Sequence, residues 1–203
     1  MEQVTNIYWQ HERITRSDRE QLLGQQGKVV WFTGLSGAGK STLAQALNAS
    51  LHQQGILAYT LDGDNIRHGL CGNLGFSAAD RSENIRRTAE VAKMMVDAGI
   101  IVLAAFITPL RPEQENLRRM LGQDLHVIYV ECPLAVCESR DPKNLYKLAR
   151  AGKIIDFTGI SSPYEPPQHP DLVVNTAVAS PEACVKDLLQ YLGISPAGSE
   201  EHA

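Results

Sequence analysis

The feature that most constrains this chain is a glycine-rich loop set between a β-type apolar run and a helix-forming stretch. Residues 34–41, read as GLSGAGKS, fit the pattern G-x-x-x-x-G-K-[ST]. Glycines at these places let backbone N–H groups converge on phosphate oxygens, and the following helix adds the positive end of its dipole. The loop therefore predicts a site for the phosphates of a nucleoside triphosphate rather than a plain glycine-rich turn.

Two side chains of this phosphate loop have chemical roles in the prediction. Lys40 reaches the β- and γ-phosphates, and the Ser41 hydroxyl is a ligand for Mg²⁺. Thr42 is explained equally well as a ligand of the nucleotide and as a residue that starts the helix. The predicted ATP-binding residues of the loop are Gly34, Leu35, Ser36, Gly37, Ala38, Gly39, Lys40, Ser41 and Thr42.

Short apolar runs of β type alternate with stretches of helical period along the chain. This alternation is typical of βαβ units and predicts an α/β fold, with a parallel sheet of about five strands and helices on both faces. The predicted strands are 29–33, 58–61, 100–107, 125–130 and 172–175. The predicted helices are 40–53, 81–98, 112–121 and 181–192.

Length, charge and cysteine content exclude several classes of protein. A chain of 203 residues and 22.3 kDa fits one domain. Its formal net charge of −4 makes it a poor candidate for binding long nucleic acid. No apolar run reaches the roughly 18 residues of a membrane helix. The four cysteines form no C-x-x-C pair and no metal cluster, so we expect free thiols, no membrane and a cytoplasmic location.

Both ends of the chain and one internal segment break the alternation of strands and helices. Residues 1–25 are polar and predict an N-terminal arm or short helices, whereas residues 195–203 predict a disordered tail. Residues 26–194 are the predicted phosphate-loop domain. Within it, residues 141–171 are long for a connector and contain basic and aromatic side chains, which favours a mobile lid over a solvated excursion.

A phosphate loop alone does not distinguish a GTPase, a motor ATPase and a small-molecule kinase. The chain has no N-K-x-D guanine motif, and its third predicted strand ends in Thr108-Pro109 without the acidic residue of GTPases and motors. Instead, Asp62 and Asp64 follow the second strand. Because strand ends in a doubly wound sheet face one crevice, these carboxylates should lie near the phosphate loop, as a metal partner and a base for an acceptor hydroxyl. A structural Asx-rich turn is the alternative.

Four blocks of sequence make this interpretation more specific. They are WFTGLSGAGKST at 31–42, LDGDNIRHGL at 61–70, GFSAADRSENIRR at 75–87 and DPKNLYKLARAGKIIDFTGISSPYEPPQHPD at 141–171. Together with residues 9–19 of the arm, they closely resemble the adenylylsulfate kinases. The resemblance implies a P-loop kinase fold, Mg-ATP as donor, the 3′-hydroxyl of adenylylsulfate as acceptor, and usually a homodimer.

The acceptor that this resemblance implies carries a phosphate–sulfate anhydride, which needs cations around it. Arg67, Arg81 and one of Arg86 and Arg87 lie in the blocks near the aspartate turn and suit that role. The resemblance assigns substrate contacts to Arg67 and Arg81. For at least one of Arg86 and Arg87, a solvated helix face is the better explanation.

The adenine of such an acceptor needs flat apolar faces and an amide partner. Phe76 and Phe157 could sandwich the ring, while Asn84 fixes its orientation and Ile160 closes its edge. The resemblance implies the same roles for these four residues. Phe76 could instead belong to the core.

The predicted lid and the residues before it carry several cations. The resemblance implies that Lys143 contacts the reacting phosphates and that Arg140, just before the lid, lies beside the adenine of ATP. Like-charged side chains in one segment repel each other unless anions lie between them, so closure over both substrates would offset the repulsion. A soluble basic helix face is the alternative for Arg150 and Lys153.

The chain departs from the family pattern at several positions. Thr108 stands where many members have a serine that is phosphorylated in some of them, and Leu110 stands for a tyrosine. Leu148 replaces a lysine of the lid, and Asn144 and Asp156 replace glycines. Since direct in-line transfer needs no covalent enzyme intermediate, Thr108 is treated as a pocket residue rather than a nucleophile.

The sequence therefore predicts an ATP-dependent kinase that converts adenylylsulfate to 3′-phosphoadenylylsulfate in sulfate activation. The predicted catalytic residues are Lys40, Asp62, Asp64 and the pocket residue Thr108, with Ser41 and Asp62 at Mg²⁺ and Asp64 preferred as the base. Two alternatives stay open. One is a kinase of the same architecture with another small acceptor, and the other is a catalytically silent nucleotide-binding subunit.

Overall fold

A computed structural model describes residues 7–194 of the chain. Five parallel strands form one sheet, in the order β2-β3-β1-β4-β5. The strands are β1 (Lys28–Thr33), β2 (Ala58–Asp62), β3 (Ile101–Ala105), β4 (Leu125–Glu131) and β5 (Leu172–Asn175). This sheet confirms the predicted fold class.

In chain order, α1 comes before the first strand, α8 comes after the last, and the other helices connect the strands. They are α1 (Arg16–Leu23), α2 (Lys40–Gln53), α3 (Gly63–Ile66), α4 (Ala78–Asp97), α5 (Arg111–Leu121), α6 (Leu134–Arg140), α7 (Leu145–Arg150) and α8 (Pro181–Tyr191). Within residues 7–194, no helix is long and apolar enough to cross a membrane.

Both faces of the sheet are covered, as the continuous apolar strands predict. Val30 and Phe32 of β1 point into a core completed by α2 and α8. Val29 and Trp31 of the same strand point into a second core with α4 and α5. Successive side chains of a strand alternate between faces, so the fully apolar sequence of β1 is explained by burial on both sides.

Two boundaries differ from the sequence prediction by two residues or more, for local reasons. The strand predicted over 100–107 ends at Ala105, because the chain turns away before Thr108, whose φ of 46° is left-handed. The helix predicted from residue 81 begins at Ala78, since the Ser77 hydroxyl accepts a bond from the backbone N–H of Asp80 at 3.1 Å. The short helices α3, α6 and α7 were not predicted.

The described part of the predicted arm, residues 7–25, contains α1. Arg16 donates two bonds of 2.8 Å to Asp124 and a third, of 2.9 Å, to the carbonyl of Gly27, which lies just before β1. Gly27 itself has no room for a side chain, because an added Cβ would lie 2.3 Å from the carbonyl oxygen of Val96. These contacts fix α1 against the edge of the sheet where the strands begin. The predicted disorder of 195–203 concerns residues outside the described range.

Candidate active site

The phosphate loop connects β1 to α2 at the edge where the strands end. Gly34 leaves β1 so close to β4 that a Cβ would lie 2.5 Å from the carbonyl oxygen of Val130, and Gly39 precedes α2 with a φ of 98°. Both positions require glycine, the first for space and the second for its left-handed backbone. The Thr176 hydroxyl donates to the Ala38 carbonyl at 2.8 Å and so fixes the loop from the end of β5.

Lys40 is folded back onto the loop that holds it. Its side-chain nitrogen donates to the carbonyls of Gly34 at 2.9 Å and Leu35 at 2.7 Å, and the residue is only 9% exposed. Burial lowers the pKa of the Lys40 ammonium to about 8. The phosphates of a nucleotide would take the place of these carbonyl partners and supply the counter-charge that the buried ammonium lacks.

Ser41 and Asp62 meet across the gap between α2 and β2. The Ser41 hydroxyl donates to Asp62 Oδ2 at 2.6 Å, and Asp62 Oδ1 accepts from the backbone N–H of Asp64 at 2.9 Å. A hydroxyl and a carboxylate are hard oxygen donors, which Mg²⁺ prefers. Within residues 7–194 no group of three or more His, Cys, Asp or Glu side chains could hold a metal. The pair therefore fits an ion that takes its other ligands from phosphates and water.

Asp64 completes this acidic corner, which we define as Asp62 and Asp64. Its side chain is 63% exposed and forms an ion pair with Lys143 from the 141–171 segment. The sequence prediction that the two carboxylates lie beside the phosphate loop is met for Asp62 by direct contact. The ion pair also brings Lys143, a predicted phosphate contact, to the same corner.

The predicted cations of the acceptor site surround Phe76. The Arg67 guanidinium lies 4.4 Å from the centre of the Phe76 ring and donates to the Gly75 carbonyl at 2.8 Å. Arg81 donates to the Phe76 carbonyl, also at 2.8 Å. Phe76 itself is 67% exposed, so it is a surface ring and not a core residue.

Arg81 also reaches the 141–171 segment, where its guanidinium donates to the Thr158 hydroxyl at 2.8 Å. The neighbouring Phe157 is buried, with its ring edge-on to Tyr146. No contact joins the rings of Phe76 and Phe157 within the described part of the chain, so their sandwiching of an adenine stays a prediction. Ile160 borders an open groove of about 550 Å³ between Leu35 and residues 159–166.

Asn84 is buried in α4 with an amide that finds no protein partner. Only 3% of the residue is exposed, and Nδ2 is the one buried side-chain nitrogen or oxygen within residues 7–194 that lacks a hydrogen bond. Native proteins rarely leave such a donor unsatisfied without a ligand or water to receive it. The orphan donor is consistent with the predicted role of Asn84 toward an adenine.

The remaining predicted residues lie in mixed surroundings. Thr108 is 2% exposed, and its hydroxyl accepts from the Trp31 indole at 2.8 Å. Arg140 donates to the Thr176 carbonyl at 2.6 Å and lies beside Gly37 of the phosphate loop. Arg86 and Arg87 both pair with Glu83 on α4, and these pairs lower the pKa of Glu83 to about 2.

Sequence reasoning missed two residues of the site. Thr176 follows β5, so the rule that strand ends converge on one crevice could have found it. Tyr146 donates from its hydroxyl to the Ser36 carbonyl at 2.8 Å, a contact that no sequence pattern indicates.

Comparisons with known proteins place this site in a family. Residues 26–175 match the sequence profile of the family described as Adenylylsulphate kinase. An adenylyl-sulfate kinase of Clostridium kluyveri is 54% identical over 188 residues, which cover 93% of this chain and 94% of that protein. The matched range contains the phosphate loop, the acidic corner and every predicted acceptor residue.

Solved structures agree with the sequence comparison. The APS kinase CysC of Mycobacterium tuberculosis, in complex with AMPPNP and APS, is similar with a TM-score of 0.80 and 46% identity, over 83% of this chain and 99% of that chain. A hexameric APS kinase from Thiobacillus denitrificans is similar with a TM-score of 0.62 and 34% identity, over 86% of this chain and 29% of that chain.

Proposed function

The chain belongs to the adenylylsulfate kinase family, and we propose that its phosphate loop and acidic corner carry out the transfer reaction of that family. It is a kinase that transfers the γ-phosphoryl group of ATP to the 3′-hydroxyl of adenylylsulfate, a step of sulfate activation. The observation that carries the assignment of residues is the 2.6 Å bond between Ser41 and Asp62, because it joins the donor loop to the acidic corner.

The donor side of the reaction rests on Lys40 and the loop backbone. The loop N–H groups bind the β- and γ-phosphates, and Lys40 leaves its carbonyl partners to neutralise charge that develops on the phosphoryl oxygens. Ser41 and Asp62 would hold Mg²⁺. Held there, the ion would supply positive charge that offsets the charge of the phosphates.

The acceptor side rests on Asp64 and the cations around Phe76. In the transfer, the 3′-oxygen attacks the γ-phosphorus in line, the bond to the β,γ-bridging oxygen breaks, and ADP leaves. Asp64 takes the proton of the 3′-hydroxyl, since its carboxylate is exposed and, within residues 7–194, Lys143 is its one side-chain partner. When the lid closes, Lys143 moves with it, and its ion pair with Asp64 is replaced by contacts to the reacting phosphates.

Three further features of the function are proposals. Phe76, Phe157, Asn84 and Ile160 receive the adenine of the acceptor, while Arg67 and Arg81 bind its anhydride, and Arg140 lies beside the adenine of ATP. Thr108 lines the pocket and takes no phosphoryl group, which its burial supports. The reaction takes place in the cytoplasm, where a reducing environment keeps the four buried cysteines as free thiols.

We also propose that the working enzyme is a homodimer. Ile7, Tyr8 and Trp9 of the arm are consecutive in sequence and 75%, 80% and 84% exposed, and large apolar side chains exposed together favour an interaction surface. Light scattering should give a mass of about 45 kDa, twice that of the chain. A mass of one chain, or of six as in the hexameric relative, would contradict this proposal.

The direct test of the reaction is product formation. Purified protein with Mg-ATP and adenylylsulfate should release ADP and 3′-phosphoadenylylsulfate, and the Lys40→Ala variant should not. Binding of both ligands without product would instead identify a silent subunit. Equal turnover of unrelated acceptors would identify a kinase with another substrate.

Substitution of the two aspartates should affect two different kinetic quantities. Asp64→Asn should lower kcat by about 10²- to 10⁴-fold with an unchanged Mg²⁺ requirement, because it removes the base. Asp62→Asn should raise the Mg²⁺ concentration for half-maximal rate by about 10- to 100-fold. Steady-state rates over a Mg²⁺ titration measure both effects, with Asp97→Asn, far from the site, as the matched control. Identical losses in the two variants would contradict the division of roles.

A further inference from the structure

Tyr146 lies between the donor and acceptor halves of the site, although neither the motifs nor the resemblance gives it a role. It belongs to α7 and is 2% exposed. Its hydroxyl donates to the carbonyl of Ser36, inside the phosphate loop, at 2.8 Å. Burial raises the pKa of Tyr146 well above its usual value, so the hydroxyl stays a donor throughout the physiological range.

The ring of Tyr146 makes the second contact. It meets the ring of Phe157 edge-on, with the centroids 5.0 Å apart and the planes at 80°. This is a favoured geometry for a pair of aromatic rings. Phe157 is the predicted adenine contact of the acceptor, so one side chain touches the ATP loop at its tip and the acceptor site at its edge.

The contacts continue from Phe157 to the far side of the acceptor site. Thr158, the next residue, accepts a hydrogen bond from Arg81, and Arg81 also donates to the carbonyl of Phe76. A series of hydrogen bonds, one ring contact and one step along the backbone, from Phe157 to Thr158, therefore runs from Ser36 to Phe76. Its members are Ser36, Tyr146, Phe157, Thr158, Arg81 and Phe76.

The backbone of Tyr146 is held as firmly as its side chain. The Asp141 carboxylate accepts from the backbone N–H of Tyr146 at 3.1 Å and of Lys147 at 3.0 Å. The start of α7 is thereby tied to the beginning of the 141–171 segment. A shift of the Ser36 carbonyl must then move the start of α7 together with Asp141 or break the bond to the hydroxyl.

We propose that Tyr146 is a positioning residue through which nucleotide in the phosphate loop sets the place of Phe157 for the acceptor. The inference rests on the function proposed above and deepens it. Phosphates that bind the loop N–H groups fix the loop backbone, and with it the Ser36 carbonyl that Tyr146 contacts. The ring of Tyr146 then holds Phe157 against the adenine. Because coupling between two ligands is reciprocal, adenylylsulfate tightens nucleotide binding by the same factor.

Calorimetry tests this coupling directly. The affinity of adenylylsulfate is measured with and without saturating Mg²⁺ and a non-hydrolysable ATP analogue, for the wild type and for Tyr146→Phe. We expect the analogue to strengthen adenylylsulfate binding in the wild type, and the variant to lose about 3- to 10-fold of that enhancement. Affinity for the analogue alone should change by less than about twofold, since the ring stays in place.

Tyr191→Phe is the matched control. Its hydroxyl also makes one hydrogen bond of 2.7 Å, to His126, at the opposite edge of the sheet. This variant should keep the full enhancement. A residue that only fills space would lower stability or both affinities without changing their ratio, so the enhancement factor separates positioning from structural support.

Each outcome decides the question. An enhancement that is the same in Tyr146→Phe and the wild type, or absent from the wild type, overturns the inference while the kinase reaction stands. Wild-type protein that neither binds adenylylsulfate nor forms product refutes the proposed function itself, and the inference with it. Should circular dichroism show that Tyr146→Phe does not fold, Phe157→Leu breaks the next contact of the series, the ring pair with Tyr146, and must also lose the enhancement.

Discussion

At the scale of single residues, the unpartnered amide of Asn84 links the stability of the free protein to its proposed contact with the acceptor. A buried donor without a partner destabilises the folded state by about 1–3 kcal/mol, and Nδ2 of Asn84 is such a donor. Asn84→Leu removes it at similar volume. We expect the free energy of unfolding to rise by about 1 kcal/mol, while affinity for adenylylsulfate falls about tenfold because the adenine loses its amide partner.

Denaturant unfolding and the KM for adenylylsulfate measure the two effects of Asn84→Leu. Thr88→Val is the control on the same helix, because the Thr88 hydroxyl is buried but already bonded to the Asn84 carbonyl at 2.8 Å. Its KM should not change. A less stable Asn84→Leu protein with normal KM would mean that the amide serves the fold and not the acceptor.

Lys40 makes nucleotide binding depend on pH. With its pKa lowered to about 8 by burial, half of the free protein carries neutral Lys40 at that pH, whereas bound phosphates favour the charged form. Binding of Mg-ATP should therefore take up about half a proton at pH 8 and almost none at pH 6.5. The affinity should be constant well below pH 8, where Lys40 is charged with and without nucleotide, and should fall as the pH rises through 8.

Calorimetry of Mg-ATP binding in buffers of different ionisation enthalpy measures this uptake. Lys40→Arg keeps the positive charge at every pH used and should abolish the uptake. Lys93→Ala removes an exposed lysine of α4 and should leave it unchanged. Proton uptake that persists in Lys40→Arg would assign the titration to another group.

At the scale of elements, the sequence predicted those with a long enough pattern. The predicted helix 40–53 and strand 172–175 coincide with α2 and β5. The helices α3, α6 and α7 have only four, seven and six residues, too few for an apolar repeat to stand out. All three border the candidate site, so the sequence predicted the sheet better than the short helices beside that site.

The same contrast holds for the site itself. Ser41 and Asp62 could be placed together from topology, because both follow parallel strands of one sheet. The contact between the rings of Phe157 and Tyr146 could not be placed in this way, since neither residue lies at the end of a strand. Residues attached to strand ends are predictable, whereas residues of the 141–171 segment need the tertiary structure.

At the scale of the whole molecule, the candidate catalytic residues lie at the one edge of the sheet where the strands end. Asp62 of β2 and Phe32 of β1 both pair with Ala105 of β3, so the acidic corner and the phosphate loop leave the sheet at the same level. The opposite edge carries α1 and its ion pairs with Asp124 and Asp97. Ligands bound at the first edge stabilise every strand that ends there, and therefore the entire fold.

Global stability should accordingly report on the Mg²⁺ site. Mg-ATP at about 100 times its Kd should raise the free energy of unfolding by about 2.7 kcal/mol. For a chain of this length that is a rise in Tm of about 5–11 °C.

ATP with EDTA should give a clearly smaller rise, because Ser41 and Asp62 then contribute no metal-bridged contact to the phosphates. In Asp62→Asn the two shifts should converge, whereas Asp97→Asn should keep the wild-type difference. Equal shifts with and without Mg²⁺ in the wild type would contradict the assignment of Ser41 and Asp62 to the metal.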